Sequence, residues 1–179
     1  MTTTPANFDA VMRHFVESAE PSRTPAADMA DLAGVIRTLL GLNARRGTRV
    51  RLGGSLFDVV ITGSGLLAHT AVACLDERQY GCGPVIEDPG PGWLYWLVPP
   101  GSAERWEPHE HAVCLGGPHT ITLPPLHRTV PPGPYWLRPL ASDRLVPTTP
   151  LRQVLAQYRP RPARPAPHSA LAGQLGTAP

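Results

Sequence analysis

Trp93-Leu94-Tyr95-Trp96-Leu97-Val98, closed by Pro99-Pro100-Gly101, is the stretch on which the fold turns. Six apolar residues, mostly aromatic or β-favouring and ended by a proline-glycine turn, are the strongest strand signal in the chain. Upstream, Leu56 to Thr62 is a second β-rich run, and the adjacent Val59, Val60 and Ile61 predict a strand buried on both faces. Gly63-Ser64-Gly65 then opens a predicted helix, Leu66 to Gln79, which completes one β–α step. Between these, Pro84-Val85-Ile86 reads as a short strand and Pro89 to Gly92 as a loop.

Working outward, Arg49-Val50-Arg51-Leu52 alternates like a strand and Gly53-Gly54 marks a turn. Ala112–Leu115, His119–Leu123 and Tyr135–Leu137 read as further strands, the last following the turn Pro131-Pro132-Gly133-Pro134. A helix is expected over Leu151–Tyr158 with Thr149 as its cap. Toward the N-terminus, Phe8, Val11, Met12, Phe15 and Val16 repeat at helical spacing. So do Met29, Leu32, Ala33, Ile36, Leu39 and Leu40, with Thr24-Pro25 to start that second helix. From Arg159 the chain is Pro, Arg, Ala, Gly and Ser, too poor in apolar side chains to order itself. The expectation is an α+β protein with a helical region over 1–45, a mixed or antiparallel sheet with one or two packing helices over 46–158, and a disordered tail over 159–179.

The chain has 179 residues, enough for one domain, and is 42% hydrophobic. Its 23 prolines and 17 glycines favour short elements and punctuated loops over a bundle of long helices. All 16 basic residues are arginine, the mark of a G+C-rich coding sequence rather than of selected guanidinium chemistry. A net charge of +2 gives no global field for nucleic acid. The distribution is more telling: Arg37, Arg45, Arg46, Arg49 and Arg51 lie together without an acid, and a second arginine-rich segment runs from Arg128 to Arg164. The N-terminus lacks a signal-peptide pattern and the longest apolar run is too short for a bilayer, so a cytoplasmic protein with reduced cysteines and no membrane partner is expected.

No motif forms a complete active site. Gly63-Ser64-Gly65 could hold a phosphate, yet position 68 is alanine where a dinucleotide fingerprint needs glycine, and there is no Walker lysine. His109, His111, Cys114 and His119 are zinc-ligand types without paired ligand spacing, so a solvated polar loop is the favoured alternative and no cofactor is expected. Ser55, Ser64 and Ser102 lie in no nucleophile motif. Trp93, Tyr95, Trp96, Tyr135 and Trp136 could stack bases, but core packing or cross-strand pairing is the stronger reading.

Four segments carry a family resemblance: Trp93–Gly101, Cys114–Gly116, Ile121–Pro125 and Arg128–Leu137. Together they resemble the bifunctional DNA primase/polymerase N-terminal domains of high-G+C bacteria and their mobile elements, over roughly residues 50–140. The resemblance implies that Phe57-Asp58-Val59-Val60 occupies the family's metal-binding acidic strand. Two-metal chemistry needs two carboxylates on one strand face. Asp58 stands alone there, because residue 60 is valine, and Cys114-Leu115 stands where a third acid belongs. The chain is therefore expected to be a degenerate, non-enzymatic short member with Asp58 as a vestige. In size and style it is also similar to the replication activator (Pra-type) proteins of actinomycete plasmids and integrative elements. The expected role is accessory or regulatory, in replication or excision of a mobile element, through DNA or a replication-initiation protein. Arg45, Arg46, Arg49 and Arg51 are the expected nucleic-acid contacts. The alternatives are an active primase-polymerase or nucleotidyltransferase, and a protein-interaction module without nucleic-acid contact.

Overall fold

A strand with no polar face needs cover on both sides, and Trp93–Val98 receives it. The computed structural model describes residues 34–38, 47–79, 81–140 and 144–163. The helix expected over 8–19, most of that expected over 25–41, Arg45, Arg46 and the tail beyond 163 lie outside the described residues. In chain order the elements are β1 (Thr48–Arg51), β2 (Asp58–Gly63), α1 (Leu66–Gln79), β3 (Val85–Asp88), β4 (Trp93–Val98), the single turn α2 (Ser102–Arg105), β5 (Val113–Leu115), β6 (Thr120–Leu123), β7 (Tyr135–Arg138) and α3 (Thr148–Tyr158). Residues 34–38 form a helical segment that contributes Ile36 to the core.

Five strands make one sheet in the order β5-β2-β4-β3-β7, and each neighbouring pair is antiparallel. Because β2 and β3 both run against β4, they are parallel to each other with β4 inserted between them. A parallel pair needs a crossover. Helix α1 supplies it, and its 14 residues span about 21 Å, close to the length of the six-residue strands it crosses.

Period-two alternation assigns the apolar side chains to two cores. Val60, Leu94, Trp96 and Val98 face the helices and meet Ala68, Ala71, Val72 and Leu75 of α1 with Leu151, Val154 and Leu155 of α3. Val59, Ile61, Trp93, Tyr95 and Leu97 face the other way, onto Val50, Ile121 and Leu123 of a separate two-stranded ribbon, β1–β6. The result is three layers, with helices on one face of the central sheet and the ribbon on the other. Two fully buried indoles have partners: Trp96 Nε1 donates to Thr62 Oγ1 at 3.1 Å, and Trp136 Nε1 to the Pro124 carbonyl at 3.1 Å.

Strand ends fall within two residues of the sequence expectation, and three larger differences stand out. Helix α3 starts at Thr148, after Pro147, and no side chain caps it. Thr149 thus lies inside the first turn, and Pro150 occupies the third helical position, where the absent N–H is one of four that have no intrahelical acceptor. The turn α2 follows Gly101 with no sequence signal, because its partner, Asp58, is distant in the chain. Beyond Tyr158 the chain stays ordered to Ala163: Gly63 N–H donates to the Arg161 carbonyl at 2.7 Å, Pro160 is buried, and Ala163 packs on the ribbon-side core. The first residues of the expected tail are therefore part of the domain.

Candidate functional site

The turn Gly63-Ser64-Gly65 sits where β2 ends and α1 begins, beside the parallel end of β3. Two of its three amides are already used, Gly63 N–H on Arg161 and Ser64 N–H on the Gly92 carbonyl at 2.7 Å. A phosphate would find neither of these free. Its side chain is a different matter. Ser64 Oγ donates to Oε1 of Glu87, which sits near the end of β3. The other carboxylate oxygen accepts from the Tyr135 hydroxyl of β7 at 2.5 Å and lies 3.1 Å from Nε2 of His69 on α1. Four elements converge on one carboxylate.

Burial pushes the Glu87 carboxyl up, but the Ser64 and Tyr135 hydrogen bonds and the His69 imidazole outweigh it and hold the group below its ordinary 4.5. Tyr135 is pushed up to about 12 by burial and by the same carboxylate. The order of contacts is serine to glutamate and histidine to glutamate. A nucleophile relay needs the histidine between the serine and the acid. With glutamate at the hub, the constellation acts as a clasp that pins α1, β3 and β7. Sequence reasoning missed it. A signal existed, the adjacent acids Glu87-Asp88 ending a strand that is buried throughout.

Asp58 is 1% exposed and faces the helix side of the sheet. Its Oδ2 accepts from the Ala103 N–H of α2 at 2.9 Å, whereas Oδ1 is buried without a partner among the described residues. Gly116 is required beside it: a Cβ there would lie 2.9 Å from the Ala103 side chain and 3.0 Å from Asp58 Oδ1. Val60, on the same face, is fully buried under the helices, and Cys114 pairs with it across β2–β5. Burial and then the Asp58 charge push the Cys114 thiol up to about 12. One carboxylate, a thiol and a valine do not fit a pair of divalent ions.

The other zinc-type residues stay apart. His109 and His111 place their rings 5.9 Å apart, and the His111 N–H donates to His109 Nδ1 at 3.2 Å. Burial and then Arg152 hold His109 below its ordinary 6.5. His119 Nδ1 is 3.0 Å from the Gly116 carbonyl. Among the described residues no three His, Cys, Asp or Glu side chains converge to hold a metal ion. The aromatics expected to be either core or stacking platforms are core in four cases, Trp93, Tyr95, Trp96 and Trp136, and Tyr135 belongs to the clasp.

Arg49 and Arg51 both project from the outer, exposed face of β1, since Val50 between them points inward. Arg49 Nε donates to Thr120 Oγ1 at 3.2 Å, which fixes that guanidinium on the ribbon. Arg45 and Arg46 precede the described strand.

Fold and geometry together define an α+β protein with a helix-covered antiparallel sheet, a carboxylate clasp at one end and an arginine-bearing ribbon on the opposite layer. No protein-family model matches the chain, and neither a curated protein nor a solved structure matches it. Among the described residues no helix is long and apolar enough to cross a membrane.

Proposed function

We propose that the chain is a non-catalytic accessory or regulatory protein of mobile-element replication or excision, acting in the cytoplasm through DNA bound on the β1–β6 ribbon. The observation that carries this reading is the state of Asp58. The one carboxylate on the strand where the primase/polymerase resemblance puts metal ligands is buried and committed to the α2 backbone. Arg49 and Arg51 support DNA as the partner, because they are exposed, side by side and anchored to a packed strand, which limits the entropy lost on binding. A replication protein as the direct partner is supported by Leu66 and Leu67, 82% and 50% exposed at the start of α1.

Two measurements test it. Purified protein with Mg2+ or Mn2+ should incorporate no nucleotide on a primed or unprimed template, and incorporation lost in Asp58→Asn overturns the non-catalytic reading. Duplex DNA should bind with an affinity that falls with salt. Arg49→Ala/Arg51→Ala should lower the slope of log affinity against log salt by about 2, one unit for each phosphate left without its arginine. An unchanged slope removes the ribbon as the DNA-binding surface, and absence of binding at low salt leaves the replication protein as the partner.

A further inference from the structure

Helices α2 and α3 leave a cleft of about 410 Å3 between them, lined by no ribbon or clasp residue and within the size range of small-molecule sites. Arg105 and Trp106 line one side, with Thr148, Thr149, Arg152 and Gln153 on the other. Arg152 is held in place before any ligand arrives. Its guanidinium carbon sits 4.9 Å from the Trp106 ring centroid, and Nη1 donates to the Glu107 carbonyl at 2.7 Å. Its pairing with the Glu107 carboxylate is weak, at 3.5 Å to a side chain that is 84% exposed, so guanidinium N–H groups remain for another acceptor. Arg105 is exposed, makes one 3.4 Å bond to the Pro100 carbonyl, and has no acid paired with it among the described residues.

The positive end of α3 opens on the same space. With Pro147 before it and no side-chain cap, and with Pro150 lacking an N–H, the first turn offers the Thr148 and Thr149 amides to an anion. The wall opposite also offers a donor: Trp106 Nε1 is buried without a partner among the described residues, and such a group in a folded chain calls for an explanation.

We propose that this cleft binds a phosphate monoester, carried either by a nucleoside monophosphate or by the 5′ end of a nucleic-acid strand. A monoester's second charge matches two guanidiniums and a helix N-terminus, where a backbone phosphodiester offers one charge. The site is independent of DNA binding by the ribbon, and one can fail while the other stands.

The test is calorimetric titration of the full chain with thymidine monophosphate, with thymidine, and with a short oligothymidine with and without a 5′-phosphate. It is repeated in the Arg49→Ala/Arg51→Ala background to remove any ribbon contribution. At least one phosphorylated ligand should bind saturably and about tenfold or more tightly than its unphosphorylated counterpart; whether the mononucleotide or only the strand binds identifies the source. Arg105→Ala/Arg152→Ala should weaken that binding by about ten- to a hundredfold, the worth of one or two charge-assisted hydrogen bonds. Thr149→Asp should weaken it similarly while keeping or raising the melting temperature, because a carboxylate in the first turn satisfies the helix end that the phosphate would occupy. Absence of binding by both phosphorylated ligands, indifference to the phosphate, or wild-type affinity in these variants overturns the proposal.

Discussion

Trp96→Ala should be the most damaging single substitution at a described position, lowering stability by about 4 kcal/mol. Trp96 is fully buried at the centre of β4, between β2 and β3, with α1 and α3 packed over it. Truncation removes the largest side chain of that core and opens a cavity that the surrounding layers cannot collapse into, since β4 is hydrogen-bonded on both edges. It also strands Thr62 Oγ1, which accepts from Trp96 Nε1. Trp96→Phe keeps most of the volume and loses that hydrogen bond, so its cost should be nearer 1–2 kcal/mol. Urea unfolding of the three proteins checks both values through the midpoint at a common slope. A loss below about 1 kcal/mol for Trp96→Ala would mean that the helix-side core is not packed as described.

Glu87→Ala is the second large effect, expected to cost about 3 kcal/mol, because it leaves the Ser64 and Tyr135 hydroxyls and His69 without their common acceptor. Glu87→Gln keeps the shape but presents N–H groups to hydroxyls that had been donors, and should lose about half as much. The clasp also has a pH signature. Glu87 is held below its ordinary 4.5 in the folded chain, so the unfolded chain takes up the proton first. The clasp's contribution is complete above about 4.5 and is lost as pH falls through the folded value. The stability gap between wild type and Glu87→Gln should therefore narrow on acidification through that range. A gap that is flat down to the acid limit would show that Glu87 is not bound as a carboxylate.

Much of the α+β architecture was legible because its signals are local. Val59-Val60-Ile61 has no polar side, so a strand covered on both faces follows from the residues alone, and both covers are present. The spacing of Ala68, Ala71, Val72 and Leu75 marks one helix face after a glycine turn, and that face is the one buried. The alternation of Arg49, Val50 and Arg51 places the two arginines outward on one strand. Less legible were α2 and the start of α3. The turn of α2 is held by a carboxylate in β2, and Thr149 is a plausible cap whose place Pro147 takes.

Residue type and spacing thus set the strands, the α1 helix, the faces they bury and the solitary state of Asp58. Which of these groups meet is a matter of the folded chain. Glu87, Ser64, His69 and Tyr135 are distributed over β3, the β2–α1 turn, α1 and β7, and no periodicity within one element can reveal a carboxylate shared by three distant partners. Arg105 and Arg152 come together for the same reason, across a cleft whose walls are separated by more than forty residues of chain. Local patterning encodes burial, because burial is a property of one side chain against solvent. A site depends on pairs distant in sequence, and their distances exist only once the sheet order and the packing of its layers are set.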